Sequence, residues 1–444
     1  MQNAWLSGMV RTRVSPREVP QMPASIEHLS PTTHHKGAVW VACFFCFLTA
    51  CGGDDSAPVA SSPSNPNSSQ NAAIAAACVA QRPASLSITT AGMVPITSRE
   101  DYVNATLNLN GQALATRIRG RGNSTWQMPK KPYRLNLNEA TSLLGMPAAR
   151  NWALLANYAD KTLLRNALAF CVSETLEMEY TPKSRFVELT LNGQYDGVYQ
   201  LTEHVEVAPH KVNIGPETET SNGFFIEHDG MFAQEPAWFI SSMELPFVFK
   251  SDPTPQQMIA IEQYVNDVER RLSTDFASFA ERVDIGSFVN LYLVNELLKN
   301  NDAFHFSSTF FFRRQDERLR FGPAWDFDIA AGNIDRNGND DPTGFWTREQ
   351  VYPRAAFRYP EFEQRVKDRW RFLESRGSAM LDAISASARA LEDSQRRNFE
   401  RWDILDIAVP PNPVVTGSYE GEIDYLRNWL RTRINWLDAQ FGMP

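Results

Sequence analysis

The stretch Asn300-Asn301-Asp302-Ala303-Phe304-His305, with Gly322-Pro323-Ala324-Trp325-Asp326-Phe327-Asp328 downstream, carries three acidic residues, Asp326 standing 24 residues after Asp302. Residues 285–299 repeat apolar side chains at helical spacing (Ile285, Phe288, Val289, Tyr292, Leu293, Leu297) and deliver Asp302 at the C-terminal end. Residues 308–313 and 318–321 read as a hairpin that delivers Asp326. Carboxylates so delivered suit phosphoryl transfer on a metal-bound nucleotide. One orients the attacking hydroxyl, and another holds the divalent cation that neutralises the phosphates.

Upstream the pattern is strand-like. Residues 85–90 and 106–118 alternate apolar and polar side chains, with Asn110-Gly111 as a hairpin turn. Arg119-Gly120-Arg121-Gly122-Asn123-Ser124-Thr125-Trp126 interrupts the sheet, and a strand resumes at Pro132 after Lys130-Lys131. A loop containing Gly120 and Gly122, followed by lysine, suits backbone amides and an ammonium laid against phosphate. A tight structural turn explains two glycines equally well, because the dinucleotide fingerprint and the Walker lysine motif are both absent. Residues 152–155 read as a strand, and Asp160 as the cap of a helix running to about Leu176. Residues 186–191 and 198–203 form a second hairpin around Asn192-Gly193. The last third is helical at residues 362–373, 380–392 and 421–441, with apolar stripes that serve packing. Strands first and helices afterwards define an α+β chain.

The N-terminus addresses location. Residues 37–50, GAVWVACFFCFLTA, have the length of a signal-peptide core and are too short to span a bilayer, so residues 1–50 read as an export signal. Leu48-Thr49-Ala50-Cys51 resembles the bacterial lipobox, which makes Cys51 the expected lipidation site; a plain signal peptide or a short anchor ending in cysteine is the alternative. Gly52 rather than Asp after the cysteine favours the outer membrane. The leader before the apolar core is longer than an ordinary n-region, which points to a start downstream of Met1. Residues 51–78 form a Ser/Pro/Asn-rich linker and residues 79–444 the folded domain. Without residues 1–50 the chain holds 39 Lys+Arg against 50 Asp+Glu, a net charge of −11 that disfavours nucleic acid as a partner. Cys78 and Cys171 remain after processing, either paired in an oxidising compartment or both free.

Five segments in order, RGRGNSTW…PKKPYRLNL, NYADKTLLRN, LNGQYDGVYQLTEHV, NELLKNNDAFHFSSTFFF and FGPAWDFDIAAGN, resemble the CotH family of spore-coat-type kinases over roughly residues 85–436. The resemblance implies a divergent protein-kinase-like, two-lobed fold, an antiparallel β-rich N-lobe over a helical C-lobe, with ATP and Mg²⁺ or Mn²⁺ between them. It implies that Lys130 or Lys131 pairs with phosphate, Asp302 is the catalytic aspartate, and Asp326 binds metal with Asp328 in support. Glu203, where the chain leaves the small lobe, then lines the nucleotide pocket. Kinases usually place Asn a few residues after the catalytic Asp. Here His305, Ser307 and Ser308 stand there, with Ser307 the candidate hydroxyl ligand.

Structural readings compete with these. Asp326 and Asp328 suit ion pairs with Arg313 or Arg320, Lys130 and Lys131 a solvated strand edge, and His305 a supporting position. Residues 335–341, Asp-Arg-Asn-Gly-Asn-Asp-Asp, alternate oxygen side chains as calcium loops do, with glycine misplaced for that geometry. The expected activity is transfer of the ATP γ-phosphate to a protein hydroxyl in the cell envelope. A surface adhesion or envelope-assembly module that keeps the fold without turnover is the alternative. Lipidation needs the Cys51 thiol, so Cys51→Ser is expected to abolish metabolic palmitate labelling; equal label in the variant refutes the anchor.

Overall fold

Seven strands of the N-terminal region pair edge to edge into a closed barrel, which leaves no strand edge free. The computed structural model describes residues 78–442, so the apolar run 37–50, Cys51 and the linker lie outside the described residues. The strands are β1 (Ala84–Thr90), β2 (Val103–Leu109), β3 (Gln112–Gly120), β4 (Tyr133–Thr141), β5 (Ala149–Leu155), β6 (Ser184–Leu191) and β7 (Gln194–Glu203). Their order is β1-β2-β3-β4-β5-β7-β6. All neighbours are antiparallel except β1 and β6, whose parallel pairing closes the ring. Leu86, Leu107, Ile118, Leu135, Trp152, Leu189 and Tyr199 fill the interior. Alternate positions on β3 point outward, among them Arg117 and Arg119, while Thr116 and Ile118 point inward. Both Asn-Gly turns have positive φ at both central residues (Asn110 52°, Gly111 80°; Asn192 49°, Gly193 79°), the backbone that matches strand twist in a two-residue hairpin.

A second, five-stranded sheet follows, in the order β12 (Leu319–Phe321), β11 (Thr309–Arg313), β8 (Phe224–His228), β10 (Pro246–Phe249), β9 (Trp238–Ile240). The expected hairpin is β11–β12, but β8, β9 and β10 carry too few residues for a period to declare itself. Phe225, Phe310 and Phe312 from this sheet pack with Ala153 and Leu155 of β5 and with Trp325, joining sheet to barrel.

Helices make up the rest. Helix Ile285–Leu297 is capped by Asp284, and helix Pro255–Thr274 by a Thr254/Gln257 capping box. The helix expected over 380–392 is two, Gly377–Ala390 and Glu392–Arg401, joined at the buried Leu391. Cys78 is disulfide-bonded to Cys171, Cα–Cα 5.1 Å, tying the start of the described chain to helix Arg165–Thr175. The chain is therefore mixed α+β, β-rich in its N-terminal region and helical in its C-terminal region. Among the described residues no helix is long and apolar enough to cross a membrane.

One buried pair locks the helical region. Arg433 of helix Tyr419–Phe441 meets Glu296 of helix Ile285–Leu297 at 2.7 Å, both side chains wholly buried. Arg433 also donates to the Glu296, Pro342 and Gly344 carbonyls, while Glu296 accepts from the Trp346 and Arg348 backbone amides. Removing one partner strands a buried charge. Arg433→Met is expected to destabilise the fold by about 3–5 kcal/mol, read as a lowered denaturation midpoint. An unchanged midpoint would show that Glu296 is satisfied without it.

Candidate active site

The block NYADKTLLRN builds the floor of the site. Asp160 and Arg165 form an ion pair at 2.6 Å, both essentially inaccessible. The expected cap is realised from a distance: Asp160 accepts from the backbone amides of Thr162 and Arg165, and the helix starts at Arg165 rather than immediately after Asp160. Arg165 then donates to the carbonyls of Ala330 and Ala331, and Asn166 Oδ1 accepts from the Phe327 amide at 2.8 Å. The loop bearing Asp326 and Asp328 is thus fastened to the helix N-terminus.

The other wall comes from the turn after helix Ile285–Leu297. Asn300 Nδ2 donates to the Asp326 carbonyl at 3.2 Å, and Asn301 Nδ2 donates to Asp302 Oδ1 at 3.0 Å. Asn301 Oδ1 is itself held by Asn337 and Asn339. The carbonyl of Asp302 accepts from the amides of His305, Phe306 and Ser307, so the backbone closes the turn while the carboxylate remains available. Phe304 (φ 61°), Ser308 (φ 58°) and Asp326 (φ 68°), none of them glycine, hold left-handed backbones here, as do Lys299 (φ 42°) and Ala331 (φ 48°) at the margins. Such conformations cost on the order of 1–3 kcal/mol each and cluster at functional sites.

Electrostatically, the acids face one another. Burial, then the Asp302 carboxylate, raises Asp326, opposed by the Arg121 guanidinium and by Ser308, whose hydroxyl lies 3.2 Å from Asp326 Oδ2. Asp328 is pushed up to about 8, by burial first and then by Asp326, Asp160 and Asp302. Glu227 on β8 joins from the sheet: its Oε1 accepts from the Ser308 amide, and Lys250 pairs with it at 2.8 Å. Burial pushes Glu227 up to about 7 despite that lysine.

The donors fit a hard divalent cation, since Asp326, Asp328 and Ser308 offer only oxygen and carboxylates crowded together call for positive charge. Among the described residues no three His, Cys, Asp or Glu side chains form a ready-made cage. Mg²⁺ is commonly bound by one or two carboxylates completed by water and substrate phosphate, so a partial protein set agrees with it.

The other expected residues have the following surroundings. Lys130 is fully buried; its ammonium donates to the Val198 carbonyl and to Asn398 Oδ1 at 2.9 Å and stands 4.6 Å over the Tyr199 ring, so it is not a solvated edge either. Lys131 donates to the Trp126 carbonyl at 2.7 Å. Neither ammonium is brought to the acids. Gly120 lies under the Trp126 ring, where a Cβ would sit 2.4 Å from ring carbon, and Gly122 has φ 81° with Thr125 against it; both glycines shape the turn that carries Arg121. Glu203 is buried, accepts from the Lys183 amide and keeps its other oxygen 3.7 Å from His210. Ser307 offers its amide to Asp302, and the hydroxyl that reaches Asp326 is that of Ser308. His305 is exposed, beside Gln350 and Trp346. Arg313 donates to the Glu317 carbonyl, and Arg320 pairs with Glu179 and Glu317, so neither neutralises Asp326 or Asp328. Lys299 fills the carbonyls of Gly338, Asp341 and Thr343, which puts an ammonium where the calcium-like loop converges. Arg121 lies within RGRGNSTW and Ser308 within NELLKNNDAFHFSSTFFF, whereas no local pattern marks Glu227 or Lys250.

Residues 118–437 match the family model described as CotH kinase protein, and the chain belongs to that family. It is similar to Inner spore coat protein H of Bacillus subtilis (strain 168), 31% identical over 107 residues, which cover 24% of this chain. The aligned part spans 28% of that relative's length.

A carboxyl whose pKa rises on folding favours the folded state less as it ionises. The loss begins above the ordinary carboxylate range and is complete above about 8 for Asp328. Asp328→Asn is therefore expected to melt higher than the wild type at pH 8.5, with the difference disappearing near pH 4. Mn²⁺ should raise the wild-type melting temperature at pH 8.5 and raise that of the variant, which keeps Asp326, by less. A pH-independent difference would remove Asp328 from the acid cluster.

Proposed function

We propose that the protein transfers the γ-phosphate of ATP to a protein hydroxyl. The observation that carries this reading is the buried opposition of Asp326 and Asp328 to Asp302, with Arg121 as the nearby cation. Family membership supports it, since the family is described as kinase. Asp326 and Asp328, with Ser308 beside them, would hold Mg²⁺ or Mn²⁺. A divalent ion bound there neutralises phosphate charge.

Asp302 accepts the proton of the acceptor hydroxyl as its oxygen bonds to the γ-phosphorus; the bond from that phosphorus to the bridging oxygen breaks, and ADP leaves. Asn301 fixes the Asp302 carboxylate for that step, and Ser308 orients Asp326. The strained backbone at Ser308 and Asp326 keeps both groups in place before substrate arrives. Glu203 borders the nucleotide pocket in this reading. The site of action is the outer membrane, reached through the Cys51 lipid.

Asp302→Asn tests the assignment, because an amide keeps the shape but accepts no proton. ATP binding by calorimetry is expected to survive, while autophosphorylation or transfer to a protein acceptor falls by about 10²–10⁴-fold. Transfer at the wild-type rate makes Asp302 structural. A wild type that transfers nothing with either metal, yet binds a surface partner, establishes the adhesion or assembly module instead.

A further inference from the structure

The five-stranded sheet ends in an open edge. Strand β9 pairs with β10 on one side, and among the described residues no strand lies on the other. The Phe249 amide donates to the Ala237 carbonyl and the Ser241 amide to the Leu245 carbonyl, so residues 237, 239 and 241 direct their backbone groups to β10. Antiparallel alternation then turns the N–H and C=O of Trp238 and Ile240 outward. Edges of this kind are usually blunted by charged side chains. Here the two outward residues are apolar and open to solvent, Trp238 at 45% and Ile240 at 41% exposure.

Register puts this edge on the side of the acids. Trp238 lies opposite Val248, Val248 opposite Glu227 and Glu227 opposite Phe310, so the four side chains share one face of the sheet. Glu227 in that row accepts from the Ser308 amide, and the Ser308 hydroxyl reaches Asp326. Two strand spacings of about 4.8 Å separate Trp238 from Glu227 by about 10 Å. A second path leads from the edge to Asp302. The Trp238 ring meets the Phe232 ring edge-on at 4.8 Å. Two residues before Phe232, the Gly230 amide donates to the Phe306 carbonyl at 2.6 Å, and a Cβ on Gly230 would fall 2.5 Å from the Phe306 ring. Phe306, 42% exposed, donates its own amide to the Asp302 carbonyl at 2.7 Å. Single exposed apolar side chains are ordinary. A series of aromatic rings leading from an open strand edge to Asp302 is not, and it marks an interaction surface.

We infer that β9 docks the acceptor polypeptide as an added strand, whose apolar side chains rest on Trp238, Ile240 and Phe306 while its hydroxyl is carried to Asp302. The inference rests on the phosphotransfer reading and gives the acceptor its chemistry: an extended segment with apolar residues at alternate positions beside serine or threonine. Outward N–H and C=O groups on a strand select an extended backbone, because it repeats acceptors and donors at the matching spacing. A helix or a lipid surface does not. Both charged side chains within residues 230–245, Glu235 and Glu244, are acidic, which disfavours an acidic segment.

Calorimetric titration with a short synthetic peptide that alternates valine and serine between terminal lysines tests the edge in the purified protein. A copy of the peptide N-methylated at alternate amides keeps the side chains but cannot pair, and is expected to bind at least about tenfold more weakly. Trp238→Ala removes the ring, and Ile240→Pro removes an outward N–H without breaking a bond to β10. Each is expected to weaken peptide binding about tenfold or more, and to raise the KM for peptide phosphorylation alike with the KM for ATP unchanged. Should Ile240→Pro melt early, Trp238→Ala and the methylated peptide still decide. A wild type that does not bind the peptide, equal binding of the two peptides, or variants that bind like the wild type overturn the inference. So does a wild-type dimer that Trp238→Ala dissociates, which makes the edge a contact between copies. If the peptide binds through β9 but no phosphoryl group is ever transferred, the kinase reading fails and the docking edge stands. If a protein acceptor is phosphorylated with an unchanged KM in both variants, the edge fails and the kinase reading stands.

Discussion

The ion pair between Asp160 and Arg165 is the constraint on which the site depends. Two opposite charges at 2.6 Å with no access to water satisfy one another, yet desolvation makes such a pair a poor source of net stability. Its value is positional. Asp160 uses its remaining lone pairs on backbone amides at the helix start, and Arg165 uses its remaining donors on Ala330 and Ala331. The chain after Asp326 therefore has one place to go. Asn166 completes the attachment by accepting the Phe327 amide, which fixes where Asp326 and Asp328 leave the backbone.

Around that anchor, unfavourable features accumulate where the acids meet. Like charges are held together under cover, two of them with their pKa raised by burial, and neighbouring residues keep left-handed backbones. Favourable packing elsewhere sustains this: the Phe288, Phe304, Phe321 and Phe311 rings pack behind the turn, Phe288 stacked on Phe321 and Phe311 edge-on to it, and the Arg433–Glu296 pair braces the helix that carries it. The same helix C-terminus supplies Asn300 and Asn301, so a shift in packing is transmitted directly to Asp302.

The lysines and arginines teach a lesson about reading loops. Lys130-Lys131 follows a glycine-rich turn and looks like a phosphate-binding element in one dimension. In three, the turn is folded around Trp126, and Lys130 points into the contact between β7 and helix Glu392–Arg401, where Asn398 waits 268 residues downstream. Arg121, flanked by the two glycines, is the basic residue that the turn presents to the acids. Glycine placement identified the loop; which side chain it aims was decided by packing.

The sequence by itself determined the β-rich first half, both Asn-Gly hairpins, the helix leading to Asp302 and the hairpin leading to Asp326, because each rests on local periodicity or turn chemistry within a few residues. It also determined the family, through ordered motifs. Only the tertiary structure decided that the seven strands close into a barrel, that Cys78 bonds Cys171, that Ser308 rather than Ser307 meets Asp326, and that Glu227, Lys250 and Arg121 surround the acids. These depend on contacts between residues far apart in the chain. Burial, which turns ordinary aspartates into raised ones, is a property of the packed whole and of no single segment.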